Sequence, residues 1–301
     1  MVNIANLKQD RKLRRMVMAK LILSYDEFKQ EIVDRINEEL EDRNPRLTAV
    51  LRMVPKVNGM REALNFNDEA SELHYSPNFY IRDYYERYNE GVGVDGIVRQ
   101  IVNTYLDVEG WRIFEDGDYS GPEYADKVVY TLVNRKGNED ILKMIPHRDY
   151  LDLAVIYRVV VKLDGRSLFS YILNNEVLKS WNMTEDEIFE RAKVQTDVIL
   201  EPDDSVSDGF GILTNAICIN GSSVLLNTER LMKMADFVGN DLYLIPSSIN
   251  EFFSIPADDM FADVLKESIR NSVKEGLTSP DEWLSFNLYR FSRETKEVSI
   301  V

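Results

Sequence analysis

The sequence predicts an α+β fold, with a mostly antiparallel mixed sheet and flanking amphipathic helices. Three observations carry this. Ser24-Tyr-Asp-Glu27 and Thr184-Glu-Asp-Glu187 are capping boxes, in which hydroxyl and carboxylate satisfy each other's orphan amides, and each opens a helical pattern. Asn58-Gly59, Asp164-Gly165 and Asn220-Gly221 stand between apolar runs, where a tight hairpin needs residues that accept positive φ. Hairpin signals outnumber strand–helix–strand units, which favours an antiparallel sheet over a doubly wound parallel one.

Taken in order, residues 1–23 form a basic arm. Lys8, Arg11, Lys12, Arg14, Arg15 and Lys20 stand there against Asp10 alone. Phe28, Ile32, Ile36 and Leu40 recur at four-residue spacing, so 25–42 is an amphipathic helix. Strands 48–57 and 60–66 flank Asn58-Gly59. Ser76 and Pro77 read as N-cap and first residue of a helix over 77–90, ended by Gly91. Ile97, Val98, Ile101, Val102 and Tyr105 mark another helix. Residues 115–123 read as a loop, and 122–134 as a helix with Val128, Val129 and Leu132 inward.

The β-branched run 151–163 is a central strand, turned by Asp164-Gly165 into a second strand, 167–173. A helix spans 184–199, and Pro202 to Gly211 is a loop. Asn220-Gly221 is expected to join strands 211–219 and 222–226. A helix over 228–238 ends at Gly239. Strand 241–246 ends at Pro246, which lacks a ladder donor. Asp258 or Asp259 caps a helix running to Gly276, and two short strands near 286–291 and 296–301 close the chain. The expected organisation is the arm followed by a single body over 24–301, with a possible sub-lobe boundary near 164–167 or 201–210.

Composition narrows the function. The chain has 301 residues, 44% of them hydrophobic, which is enough for a sizeable core. It has no apolar run of eighteen residues and no signal-peptide pattern, so no membrane association is expected. Cys218, the single cysteine, lies in Ala216-Ile-Cys-Ile219 and is expected to be a buried, inert thiol, in keeping with a cytoplasmic location. His74 and His147 have no zinc-type spacing, so neither metal nor cofactor is expected. The P-loop, dinucleotide and nucleophile-elbow motifs are missing from the sequence. A net charge of −16 repels phosphate backbones and argues against general nucleic-acid binding. The same charge permits a narrower alternative, an acidic inhibitor that mimics nucleic acid.

Two function classes stay open. In the enzyme reading, a hydrolase-like site draws on Ser247, Ser248 and Glu251 at a strand end. His147 serves as base, Asp149 or Asp152 orients it, and Asn215 stands nearby. The plainer reading makes Ser247 and Ser248 caps of a short helix from Ile249, supported by Glu251, and lets Asp152 face solvent. In the binding reading, the chain is a non-catalytic interaction protein for a protein or small-molecule partner. Its contact residues are Tyr80, Tyr84 and Tyr88, a stripe on the 77–90 helix, together with Asn215 and Asn250. The stripe is equally explained as core packing. The lack of every standard catalytic signature favours binding.

Several phrases carry a resemblance when taken together and in order. They are Ser76-Pro-Asn-Phe-Tyr-Ile with Tyr84-Tyr85 and Tyr88; Ile145-Pro-His-Arg-Asp-Tyr-Leu-Asp-Leu-Ala154; Trp181 before a helix containing Ala192; Leu213-Thr-Asn215; and Leu244-Ile-Pro-Ser-Ser-Ile-Asn-Glu251. The chain resembles a bacterial family, the domain of unknown function numbered 5688, from about residue 24 to the C-terminus. The resemblance implies a cytoplasmic bacterial protein and supplies no activity. In the family's pattern the strand-end phrase reads Pro-Ser-Ser-Ile-His-Glu, so Asn250 holds the histidine place, and Gln195-Thr196 stands for Asn-Thr. If that histidine is a base in the family, this chain lacks it.

Overall fold

The computed structural model describes residues 22–68, 78–107, 119–207, 209–275 and 277–301. The basic arm up to residue 21, and the expected cap at Ser76-Pro77, lie outside the described residues. The chain divides into two compact units, Met1–Val54 with Met60–Gly117, and Pro55–Gly59 with Asp118–Val301. The turn at 164–167 and the loop at 201–210 both fall inside the second unit. The fold is α+β, with three antiparallel sheets and helices against them.

The first unit opens with α1 (Tyr25–Arg43), whose capping box is formed by both reciprocal bonds between Ser24 and Glu27. Its buried stripe is Phe28, Ile32, Ile36 and Leu40. Side chains of this size each contribute about 1.5–3 kcal/mol when fully buried. The expected hairpin is present as β1 (Leu47–Lys56) and β2 (Gly59–Asp68), with Asn58 at φ 67 and Gly59 at φ 143. Asn37 on α1 acts as a short piece of strand against β1. Its Oδ1 accepts from Ala49 N at 2.8 Å, and its Nδ2 donates to Ala49 O at 3.1 Å.

The helix expected over 77–90 begins later, as α2 (Ile81–Asn89). Phe79 and Tyr80 form β3 instead, paired with Leu64 and Ala63. Phe79 buries its ring edge-on against Phe66, and this pairing holds the backbone extended up to the helix start. The unit ends with α3 (Val94–Asp107), whose Ile97, Val98, Ile101 and Val102 join the core of α1.

The second unit holds two sheets over a shared core. The first contains β4 (Val128–Asn134), β5 (His147–Tyr150), β6 (Leu153–Asp164) and β7 (Ser167–Ile172); β6 pairs with the other three. The helix expected over 122–134 is replaced by a 3₁₀ turn at Pro122–Lys127 followed by β4. All seven β4 residues are buried. A strand buried on both faces shows no alternation, so its apolar run reads the same as a helix. Two short helices follow in chain order, α4 (Glu139–Leu142) and α5 (Asn175–Ser180). Then α6 (Glu185–Ile199), opened by its expected capping box, lies against β4. There Thr196 Oγ1 accepts from Tyr130 N at 3.0 Å and donates to Ala192 O at 2.7 Å.

The other sheet runs β13-β12-β10-β11-β9-β8. Its strands are β8 (Ser205–Ser207), β9 (Phe210–Leu213), β10 (Leu242–Ser248), β11 (Glu251–Pro256), β12 (Tyr289–Phe291) and β13 (Val298–Ile300). One face packs on α7 (Thr228–Val238), which ends as expected at Gly239 in the left-handed region, φ 76. The opposite face packs on α8 (Ala262–Lys274), entered through a 3₁₀ turn whose cap is Asp258.

Three expectations fail in this sheet. Asn220-Gly221 makes no hairpin: Asn220, at φ 57, leads into a 3₁₀ helix, Gly221–Leu226, and the hairpin here is β8–β9. The cause is Asn215, whose Oδ1 accepts from Ile217 N and Ile219 N while its Nδ2 donates to Ile219 O, curling 215–219 into a tight turn. That turn leaves Cys218 exposed at φ 56, not buried. Third, β10 continues through Pro246. Its neighbour β12 pairs only with Leu242–Leu244, so the proline has no ladder to interrupt on that side.

Among the described residues no helix is long and apolar enough to cross a membrane. Among the described residues the most buried cation is Arg230, 8% exposed. Its guanidinium forks onto Asp204, reaches Thr214 O and faces Asp197 at 3.5 Å. This ties α7 to α6 and to the loop before β8. Arg230→Ala takes the cation from Asp204 and Asp197 but leaves them Thr214 N and Asn227 Nδ2 as donors, and the expected loss is about 1–3 kcal/mol in urea denaturation.

Candidate functional site

The strand-end phrase Ser247–Glu251 is the turn between β10 and β11, and no helix starts at Ile249. Each polar side chain of the turn has a partner. Ser247 Oγ donates to Glu251 Oε1 at 2.9 Å. Ser248 Oγ accepts from Asn250 N at 3.0 Å, fixing the turn from within. Asn250 Oδ1 accepts from Asn220 N at 3.0 Å, and its Nδ2 donates to Glu282 at 3.2 Å. Thr214 Oγ1 donates to Asn250 O at 2.8 Å, and Ile249 N donates to Glu282 O at 2.8 Å. Gly221 sits so close that a Cβ there would lie 2.2 Å from Asn250 O. The stretches 214–222, 247–251 and 278–282 therefore meet at one place.

The remaining catalytic candidates lie around β5 and β6. Asp152 does not face solvent freely. Its Oδ1 accepts from Tyr289 OH at 2.6 Å, and its Oδ2 from Ser285 Oγ at 2.7 Å and Asn287 Nδ2 at 2.9 Å. Leu151, at φ 55, turns the chain so that this carboxylate points at the loop before β12. Burial, and then the charge of Asp152, hold the Tyr289 phenol far above its ordinary range. Asp149 instead pairs with Arg135 at 3.1 Å on the surface. His147 is exposed on β5, with Nδ1 3.1 Å from Ile145 O. Among the described residues no hydrogen bond joins His147 to Ser247, Ser248 or Glu251.

The binding candidates are placed as follows. Tyr80 ends β3 and is the N-cap of α2, one position ahead of the helix that carries Tyr84 and Tyr88. Tyr84 is half-buried, and its phenol is shifted upward by burial. Tyr88 OH accepts from Leu23 N at 3.0 Å and Tyr85 OH donates to Leu23 O at 3.0 Å, with both rings against Phe28. Asn215 is buried and organises its own turn, and Asn250 bridges two loops. In the first unit, a recess of about 410 Å³ is lined by Arg35, Glu38, Glu39, Asp95, Val98 and Arg99, with Arg35 paired to Asp95 across it.

A further cluster has no counterpart in the sequence reading. Arg148 forks onto Glu185, contacts Asp186 and lies 4.0 Å over the Phe189 ring, and Tyr157 OH also donates to Glu185. The bond to Glu185 raises the Arg148 pKa, and burial raises that of Tyr157. Only the adjacency of Arg148 to His147 could have signalled it, because Glu185 and Asp186 lie 37 and 38 residues away. Among the described residues no group of three or more His, Cys, Asp or Glu is placed to hold a metal ion.

The model of a family of unknown function, DUF5688, matches residues 25–209 and 201–293. The chain belongs to this family. No curated protein and no solved structure matches it. The DUF5688 match starts at the first residue of α1 and takes in the β10–β11 turn, Asp152 and the loop that Asp152 holds.

The two β5–β6 carboxylates of this DUF5688 protein are expected to behave differently. Asp152→Ala leaves three donors without their acceptor and should lower unfolding free energy by about 3 kcal/mol. Asp149→Ala removes a surface pair and should change it by less than about 1 kcal/mol. Urea titrations of the two variants check this. Burial also pushes the Tyr150 phenol from 10.0 up to about 12. The folded state thus keeps this proton longer than the unfolded state does. Its contribution is complete below pH 10.0 and is lost as pH rises to about 12. Tyr150→Phe should flatten the fall of the urea midpoint across that window.

Proposed function

We propose that this DUF5688 protein is a non-catalytic binding protein of the bacterial cytoplasm. One observation carries the reading: the serine and carboxylates that could do chemistry are engaged with other side chains of the fold. Ser247 donates to Glu251, Asp152 accepts three donors, and Asp149 is paired with Arg135. A serine nucleophile needs a base within hydrogen-bond reach, and Ser247 has a carboxylate that sits in its own hairpin. The single cysteine and the absence of long apolar runs in the sequence fit a reducing, aqueous compartment.

The surface supports a protein partner. At the entry to α8, Met260 is 76% exposed, Phe261 51% and Val264 62%, while Ala262 and Ile269 of the same helix are buried. Asp258, Asp259 and Asp263 alternate with these apolar residues. Such a knob suits a protein surface with an apolar centre and a basic rim. The net charge of −16 disfavours nucleic acid as the partner.

A serine-reactive fluorophosphonate separates binding from hydrolysis. The expected result is no stoichiometric labelling of Ser247 or Ser248, and for Ser247→Ala a stability loss of about 1 kcal/mol from the missing bond to Glu251. Stoichiometric labelling that disappears in His147→Ala would establish the hydrolase reading instead.

A further inference from the structure

Asn58 is followed by Gly59, the sequence in which a backbone nitrogen meets least hindrance in reaching the preceding side-chain carbonyl. In an open turn this amide would be exposed to that attack. Here it is held. Asn58 Nδ2 donates to Trp283 O at 2.6 Å and to Pro280 O at 3.1 Å. Its Oδ1 accepts from Asn138 Nδ2 at 2.9 Å, and its own backbone N donates to Asn138 Oδ1 at 2.8 Å. Asn138 is 3% exposed and is anchored by a 2.7 Å bond to Asn134 O. Lys56 pairs with Asp281 at 2.8 Å, which adds a second tie to the same loop.

We propose that Asn58 is a gated deamidation site. It is closed while residues 280–283 are seated on the turn and opens when they lift. In the reaction, the backbone nitrogen of Gly59 attacks Cγ of Asn58 and gives up its proton. The Cγ–Nδ2 bond breaks, and ammonia leaves. Water then opens the succinimide at either carbonyl, giving aspartate or isoaspartate. One water is consumed and one ammonia released, with no oxidant or reductant. The attack requires the side chain to turn toward Gly59 N, and the bonds to Asn138, Pro280 and Trp283 prevent that rotation. The product is a carboxylate with no donor, and it would face the two carbonyl oxygens that Nδ2 once satisfied. The loop cannot reseat as before, so the change runs one way.

The test is peptide mapping by mass spectrometry of the full chain, aged at mildly alkaline pH. Conversion at Asn58 is followed in native buffer and in denaturing urea. Native conversion should be slower than in urea by at least about tenfold, the factor set by a local opening cost of about 1.4 kcal/mol. Asn138→Ala and Asp281→Ala loosen the gate from two sides, and either one, still folded by circular dichroism, should speed native conversion. Asn58→Asp, as a mimic of the product, should speed hydrogen exchange across 280–285. Equal rates in buffer and in urea would overturn the gate, as would folded Asn138→Ala and Asp281→Ala variants that both convert at the parent rate. An Asn58→Asp protein with unchanged exchange over 280–285 would overturn the one-way step.

Discussion

The second unit depends on the carboxylate of Asp152. It stands at the start of β6, the strand to which β4, β5 and β7 all pair. Through Ser285, Asn287 and Tyr289 it takes hold of the segment that becomes β12, and β12 pairs with β10. One side chain thus joins the two sheets whose inner faces share a core. A charged acceptor with three donors is stronger than the same number of neutral bonds. Just upstream, Glu282 receives Ile249 N and Asn250 Nδ2, so the order imposed at Asp152 extends to the β10–β11 turn.

Seen this way, the polar residues that draw the eye in the sequence are fastenings. Asn215 curls its own turn, Asn250 bridges to Asn220 and Glu282, and Asn58 and Asn138 clasp each other. Amides suit this work because each carries both donor and acceptor and can complete two backbone groups at once. The aromatic residues of α2 play the same part in the first unit. Tyr85 and Tyr88 fix both polar groups of Leu23, so the chain is already pinned when α1 begins.

What the sequence revealed was what is encoded locally. Both capping boxes, the four-residue stripe of α1, the Asn58-Gly59 turn and the Gly239 stop are decided by neighbours within a few residues, and each forms. Features decided at long range were hidden. β4 reads as a helix because both its faces are covered. Phe79 and Tyr80 are extended because Leu64 and Ala63 capture them. Asn220-Gly221 is a local exception: it has hairpin chemistry, but Asn215, a near neighbour, redirects the chain and exposes Cys218. At the candidate site, Ser247, Ser248 and Glu251 stand together in the sequence, but the helix they are expected to cap does not form. The partners of Asp152, more than 130 residues away, were not recognisable.

Asn37 has a consequence for how this protein avoids its own kind. An edge strand that shows a row of free amides and carbonyls is a template for another chain. On β1, backbone groups face outward at every second residue. Asn37 occupies that edge at Ala49, and Pro55, in the same phase, has no N–H to offer. Between them only Leu51 and Met53 remain in phase, too short a stretch to seed a ladder. The ten-residue strand is thereby made a poor nucleus for runaway β-stacking, by one amide borrowed from a helix and one proline of its own.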